Sequence, residues 1–233
     1  MIRRLPTIVA IVSFGLVFAS LVIGYTEQQS ARPLAESYIR LVPQELGAPN
    51  VITGILLTYR AFDTLGEVAV LFMVAAGVGL VLGGERLPQS GSLADRFDGA
   101  RPSSEIVQTG TQILVPLISL FAAYIIMNGH LTAGGGFQGG AVIASGVLLM
   151  LLAYPQYRPD LEFLGITESV AGALFVLTGI AGLVGAGGFL DNRILPLGQF
   201  GAFFSAGAIP VLSALLGIKV GCELSVILDR FRP

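Results

Sequence analysis

Residues 129–140 read Gly-His-Leu-Thr-Ala-Gly-Gly-Gly-Phe-Gln-Gly-Gly and lie between two strongly apolar segments. Six of these twelve residues are glycine, and the run contains His130, the only histidine of the chain. Glycine is unfavourable in a helix interior, by about 1 kcal/mol relative to alanine. It permits a tight turn, and it lets a neighbouring helix approach closely. The run therefore predicts a sharp connection into a tightly packed transmembrane helix, with helix packing assigned to Gly135, Gly136, Gly139 and Gly140.

The composition is that of an integral membrane protein. Hydrophobic residues make up 54% of the chain and charged residues 12%, whereas about a quarter of the residues of a soluble domain are charged. The mean hydropathy is +0.81. The formal net charge of −2 excludes nucleic acid as a partner. We therefore predict an all-α membrane protein.

Apolar stretches long enough to cross a hydrocarbon core of about 30 Å predict six transmembrane helices, over residues 5–24, 64–83, 106–127, 137–154, 167–188 and 200–228. Residues 25–48 are expected to form a long outer loop. Residues 49–59 are apolar but too few to span, so they predict a short non-spanning helix. Pro49 is expected in its first turn, and Pro210 is expected to kink the last span.

The polar residues 85–105 predict a cytoplasmic linker between two units. Residues 1–84 then form a two-helix unit and residues 106–233 a four-helix unit. Basic residues favour the cytoplasmic side of a membrane, and eight of the twelve arginines lie at ends that are cytoplasmic if both termini are inside. These eight are Arg3, Arg4, Arg86, Arg96, Arg101, Arg158, Arg230 and Arg232.

Ionisable residues at membrane depth are the candidates for function, because each costs about 2.5–3.5 kcal/mol on insertion scales unless it is paired or hydrated. Asp63 and Glu67 are four residues apart, as are Lys219 and Glu223, so each pair shares a helix face. These four residues are the candidate ion pathway. The alternatives are interfacial carboxylates for the first pair and a static ion pair for the second.

Two further residues are weighed against structural roles. His130 is either a proton relay, since histidine titrates near neutral pH, or a residue that ties down the turn, which we favour. Glu168 is expected at the start of the fifth span, where an acidic residue complements the helix dipole.

The sequence carries no signature of an enzyme. One cysteine, Cys222, holds neither a disulfide framework nor a metal cluster. One histidine without cysteine or carboxylate at ligand spacing makes no zinc site, and the glycine run lacks the Gly-Lys-Ser/Thr of a phosphate loop. We expect no cofactor and no metal, and the chain is not predicted to be an enzyme.

The glycine run resembles the signature of the MnhB/MrpB subunit of the multisubunit Mrp-type sodium/proton antiporters, which commonly has proline where this chain has Ala133. Residues 50–56 (Asn-Val-Ile-Thr-Gly-Ile-Leu) and 60–67 (Arg-Ala-Phe-Asp-Thr-Leu-Gly-Glu) resemble a different, MbhE-like unit. That unit forms the C-terminal end of the large MrpA protein and is a separate small subunit in membrane-bound hydrogenases. Together the resemblances cover almost the whole chain.

The resemblance implies an accessory subunit in the cell membrane of a prokaryote, with the other subunits of such a complex as partners and sodium and protons as transported ions. It would help to assemble the complex and to line an ion path. The alternative host is a respiratory complex related to complex I, such as a membrane-bound hydrogenase. The rival class is a self-sufficient small ion transporter, surrounded by lipid alone.

Overall fold

The computed structural model describes residues 5–25, 30–83 and 103–231. Most of the predicted linker, residues 85–102, lies outside these ranges. The helices in the described part are α1 (Leu5–Ile23), α2 (Pro33–Leu41), α3 (Val51–Gly54), α4 (Ala61–Gly83), α5 (Glu105–Met127), α6 (Gly136–Ala153), α7 (Leu161–Gly185) and α8 (Ile209–Arg230).

The prediction of an all-α protein with six spanning helices and a short non-spanning helix is confirmed. Within the described ranges, six helices are long and apolar enough to cross a membrane: α1, α4, α5, α6, α7 and α8. Helix α3 and the π-helical turn that follows it, Ile55–Tyr59, are too short to span. The chain is therefore a multi-pass membrane protein.

The chain forms two compact units, Met1–Ser37 and Tyr38–Pro233. The first unit contains α1, none of whose residues is buried. The second contains the helices from α3 to α8 and the hydrophobic core. A division between residues 1–84 and 106–233 stays a prediction.

Helix α8 is the centre of the second unit, because α4, α5, α6 and α7 all pack against it. Its residues Leu212, Leu216 and Val220 are buried in one cluster with Phe175 of α7. A helix buried on most sides reads as apolar all round, which is why its sequence shows no simple amphipathic pattern. A charged residue on α8 must therefore find its partner inside the bundle.

The last span is shorter than predicted. Helix α8 begins at Ile209, and Pro210 lies in its first turn, where a missing backbone N–H breaks no hydrogen bond. The predicted kink at Pro210 is therefore wrong. Residues before α8 form an irregular segment with left-handed backbone at Gly201, Ala206 and Gly207.

Asn192 holds this irregular segment in place. Its buried side-chain Nδ2 donates hydrogen bonds to the carbonyl oxygens of Leu46 (3.0 Å) and Ala206 (2.9 Å). The neighbouring Asp191 caps the turn and pairs with Arg193, and this guanidinium holds the pKa of Asp191 below its usual range. The segment is thus an ordered part of the second unit.

The segment predicted as a long outer loop contains α2 and a π-helical turn, Val42–Leu46. The prediction of a loop over residues 25–48 is wrong. The short non-spanning helix begins later than predicted, because Asn50 is its N-cap and accepts a hydrogen bond from the Thr53 backbone N–H at 3.3 Å. Pro49 precedes this cap.

Helix α7 begins at Leu161 rather than at residue 167, because Asp160 accepts a hydrogen bond from the Phe163 backbone N–H at 3.0 Å and caps it. An aspartate in this position is a common N-cap. Glu168 consequently lies two turns inside the helix. Its predicted role at the helix start is wrong.

Candidate ion-pathway site

Asn50 joins the two sequence motifs in space. Its side-chain Nδ2 lies 2.7 Å from the carbonyl oxygens of both Gly129 and Thr132. Its backbone N–H donates to the carbonyl of His130 at 3.0 Å, and the Thr53 hydroxyl faces the Gly134 carbonyl at 3.4 Å. The start of α3 is thus fixed to the glycine run.

Replacing Asn50 with alanine is expected to destabilise the fold by about 1–3 kcal/mol, because it removes the cap of α3 and leaves carbonyl groups of the turn without a donor. The measurement is the thermal stability of the purified protein in detergent. Asn128→Ala is the matched control, since the Asn128 amide donates only to the Tyr124 carbonyl on its own helix (3.2 Å). Equal losses for the two variants would contradict a joining role for Asn50.

A cavity of about 540 Å³ lies where the two motifs meet. Residues of α3, α4, the glycine run and α8 form its wall. Its polar lining groups are Thr53, Thr64, Glu67 and Gln138. The Thr64 hydroxyl donates to the Leu56 carbonyl at 2.9 Å, so Glu67 is the one ionisable group among the lining residues. A carboxylate in such a place can bind a cation through its oxygens or carry a proton.

Glu67 is exposed on the second turn of α4, about 9 Å from the helix start at the usual rise per residue. Asp63 does not line the cavity with it. Asp63 is exposed and pairs with Arg60 at 2.5 Å, three residues before it. The structure therefore brings Glu67, but not Asp63, to the cavity.

The glycines of the run contact two different helices. An added Cβ at Gly136 would lie 2.3 Å from the Ser213 carbonyl, and one at Gly140 would lie 2.7 Å from the Gly217 carbonyl, both on α8. A Cβ at Gly139 would instead meet Ile126 of α5 at 2.3 Å. These three positions allow α6 to lie directly against α5 and α8.

Gly135 has a different role from the other three. Its φ is +145°, a backbone conformation that L side chains rarely adopt. An added Cβ there would face the Gln138 side chain at 3.2 Å. Gly135 therefore makes the turn into α6, and it carries none of the backbone contact with α8.

His130 is fully buried in the turn between α5 and α6. Neither ring nitrogen has a partner in hydrogen-bonding geometry, although backbone groups of Ala202, Phe203 and Met127 lie near it. Burial lowers the pKa of His130 below the usual 6.5, and the nearby carbonyl groups oppose this shift. The turn is tied by the backbone carbonyl of His130, and its ring fills space as a neutral group.

The stability of the protein is expected to fall as the pH drops below about 6.5, the ordinary histidine pKa. There the unfolded chain takes up a proton on His130 more readily than the folded chain does, so protonation favours unfolding. His130→Gln should remove this part of the pH dependence while lowering the stability at neutral pH. Thermal denaturation across a pH series measures both effects. Identical acid sensitivity of the variant and the unmodified protein would contradict a buried neutral imidazole.

Lys219 and Glu223 form a buried ion cluster with Glu168. The Lys219 Nζ lies 2.7 Å from Glu223 Oε2 and 3.2 Å from Glu168 Oε1. The side chains of Lys219, Glu223 and Glu168 are 8%, 0% and 14% exposed. Spacing along the sequence suggested the first pair, but Glu168 lies 51 residues away from Lys219 and was not among the candidate residues.

A bundle of membrane-spanning helices with an acidic cavity and a buried ion cluster is the class of structure found in ion-translocating membrane proteins. Residues 106–226 match the family profile described as a domain related to the MnhB subunit of Na+/H+ antiporters. Residues 2–95 match the profile of MbhE, a subunit of MBH. The chain belongs to the family of MnhB-related domains.

Individual relatives cover the chain to different extents. An uncharacterized protein of Methanocaldococcus jannaschii is 30% identical over 92% of this chain and 87% of its own. A probable K(+)/H(+) antiporter protein of Rhizobium meliloti, in which the A and B subunits are combined, is also 30% identical, over 65% of this chain. This chain spans only 17% of the length of that protein.

Two solved structures share the fold. A chain of the membrane-bound sulfane sulfur reductase, an archaeal respiratory membrane complex, superposes with a TM-score of 0.79 and 36% identity, over 99% of this chain and 98% of that one. A chain of the Mrp complex from Dietzia sp. DQ12-45-1b gives a TM-score of 0.75 at 23% identity, over 98% of this chain. This chain spans 26% of the length of that Mrp chain.

Proposed function

We propose that this chain is an accessory membrane subunit of a multisubunit Mrp-type cation/proton antiporter, where it helps to assemble the complex and lines a sodium or proton path. It transports no ion by itself and is not an enzyme. Its termini lie on the cytoplasmic side of the cell membrane, as the distribution of arginines favours.

The position of Glu67 carries the proposal. It lies on a membrane-spanning helix, yet it is exposed on the surface of the chain and opens into the cavity beside the glycine run. A carboxylate that faces lipid at this depth is costly. A partner subunit that covers this face removes the cost and turns the cavity into an enclosed polar space.

Residues around Glu67 fit such a partner contact. Val70 lines the same cavity and is 55% exposed, and Phe62 on the same helix is 70% exposed. Apolar residues around a central polar group are the usual make-up of a contact between membrane helices. We infer that α3, α4 and the glycine run together face the neighbouring subunit.

A redox-driven complex is the second candidate host. It is favoured by the match over nearly the full length of both chains to the subunit of the archaeal respiratory complex. The ion path and the partner-facing surface are the same in both hosts. Only the source of energy differs, and it resides in other subunits.

A photo-crosslinking residue in place of Val70 tests the proposal. In native membranes it should capture a partner subunit, whereas the same residue in place of the buried Leu212 should capture none. The purified chain alone, in proteoliposomes, should show no cation-driven proton movement. Robust exchange by the lone chain, together with no capture at residue 70, would establish a self-sufficient transporter instead.

A further inference from the structure

The Glu168–Lys219–Glu223 cluster lies deep in the helix bundle. At the usual rise per residue, Glu168 is about 10 Å from the start of α7, and Glu223 is about 10 Å from the end of α8. The two antiparallel helices therefore bring their charged residues to the same level. Glu67 lies near the beginning of α4, and the cavity that it lines does not include the cluster.

The charges of the cluster do not balance. Two carboxylates face one ammonium group, so the fully ionised cluster has a net charge of −1 in a buried position. Glu223 Oε2 accepts from Lys219, but Glu223 Oε1 is buried with no hydrogen-bond partner. A buried, unpaired carboxylate oxygen is unfavourable, and one added positive charge would remove both defects.

The helices around the cluster supply no other cation to it. Helix α6 contains no ionisable side chain, α5 has Glu105 at its first residue, and α4 has Asp63 and Glu67 in its first two turns. On α8 itself, the half-buried Cys222 lies near Glu168. The missing positive charge must therefore come from outside these helices.

We infer that this cluster is a proton-binding site, separate from the Glu67 cavity. A hydronium ion gives up its proton, an O–H bond forms at Glu223 Oε1, and a water molecule is left. Lys219 then pairs with the Glu168 carboxylate, and the cluster is neutral. When the proton leaves, Lys219 returns its strongest hydrogen bond to Glu223. Within the proposed function, on which this step rests, the site would hold the proton that is exchanged for the cation.

The geometry favours a proton over sodium. Sodium needs several oxygen ligands, and hard cations take carboxylates and carbonyls from a preformed cage. Here the Lys219 ammonium already occupies Glu223 Oε2, and it would repel a cation placed between the two carboxylates. Among the described residues, no group of three or more His, Cys, Asp or Glu side chains could hold a metal ion.

Infrared difference spectroscopy of the intact complex between acidic and alkaline pH tests this inference. The unmodified complex should show the C=O band of a protonated buried carboxyl group, and Glu223→Gln should remove that band and abolish proton-coupled exchange while the complex still assembles. Glu162→Gln is the control, because Glu162 is an exposed acid on the first turn of α7. It should leave both the band and the exchange unchanged.

Three results would overturn the inference. The first is an unchanged band and unchanged exchange in Glu223→Gln. The second is loss of the band when sodium is added at constant pH, which would identify a sodium site. If Glu223→Gln does not assemble, Glu223→Asp carries the same test, and a band that keeps its frequency there is the third. Normal exchange in Glu223→Gln, with exchange lost in Glu67→Gln, would refute this site and leave the proposed function intact.

Discussion

Replacement of Lys219 by methionine is expected to destabilise the protein by about 3–5 kcal/mol, the usual cost of breaking a buried ion pair by removing one partner. Methionine keeps much of the apolar stem of lysine but leaves the Glu223 and Glu168 carboxylates together without a counter-charge. Glu223 is fully buried, so water cannot screen it. The thermal stability of the detergent-solubilised complex and the amount of this chain retained in it measure the effect.

A double variant separates charge from packing. Lys219→Met combined with Glu223→Gln removes one of the two uncompensated carboxylates, so it should be more stable than Lys219→Met alone. If both variants are equally unstable, the loss comes from packing around residue 219, and the ion cluster contributes little to stability.

Replacement of Gly140 by leucine is expected to reduce retention of the chain in its complex more than any other single change in the glycine run. Its Cβ would lie 2.7 Å from the Gly217 carbonyl and 3.0 Å from the Gly221 backbone nitrogen. Backbone atoms cannot move aside as a flexible side chain can, so α6 and α8 must separate. Inserted bulk costs about 1–3 kcal/mol per misfit in a packed interior, and leucine introduces several such contacts.

Gly110→Leu is the control for this effect. Gly110 is inside the neighbouring helix α5, and an added Cβ there meets nothing within 4 Å. Purification through a tag on a partner subunit compares the amounts of the two variants that are retained. Equal retention of Gly140→Leu and Gly110→Leu would refute the close contact between α6 and α8.

The number and order of the spanning helices could be predicted from the sequence, because apolar length is a direct requirement of the bilayer. Their boundaries could not. The apolar residues before Ile209 lie in an irregular segment, and the left-handed glycines that mark it were a signal in the sequence. The Asp160 cap was a second such signal, and it would have placed Glu168 inside its helix.

The partner of Lys219 illustrates what one sequence cannot show. Spacing of four residues along α8 identifies Glu223, whereas Glu168 reaches Lys219 only because α7 packs antiparallel to α8. The contact of Asn50 with the glycine run depends on tertiary packing in the same way. Both sequence motifs were visible separately, but their meeting at one cavity is a property of the fold.

The central claim is that Glu67 lines an ion path only within an assembled complex. Its most direct test is cation-driven proton exchange by the intact complex carrying Glu67→Gln, in everted membrane vesicles, with retention of the chain measured in the same vesicles. We expect normal retention and loss of exchange, because glutamine keeps the shape of the side chain but can neither bind a cation as a carboxylate nor titrate. Unchanged exchange with unchanged cation dependence would contradict the claim.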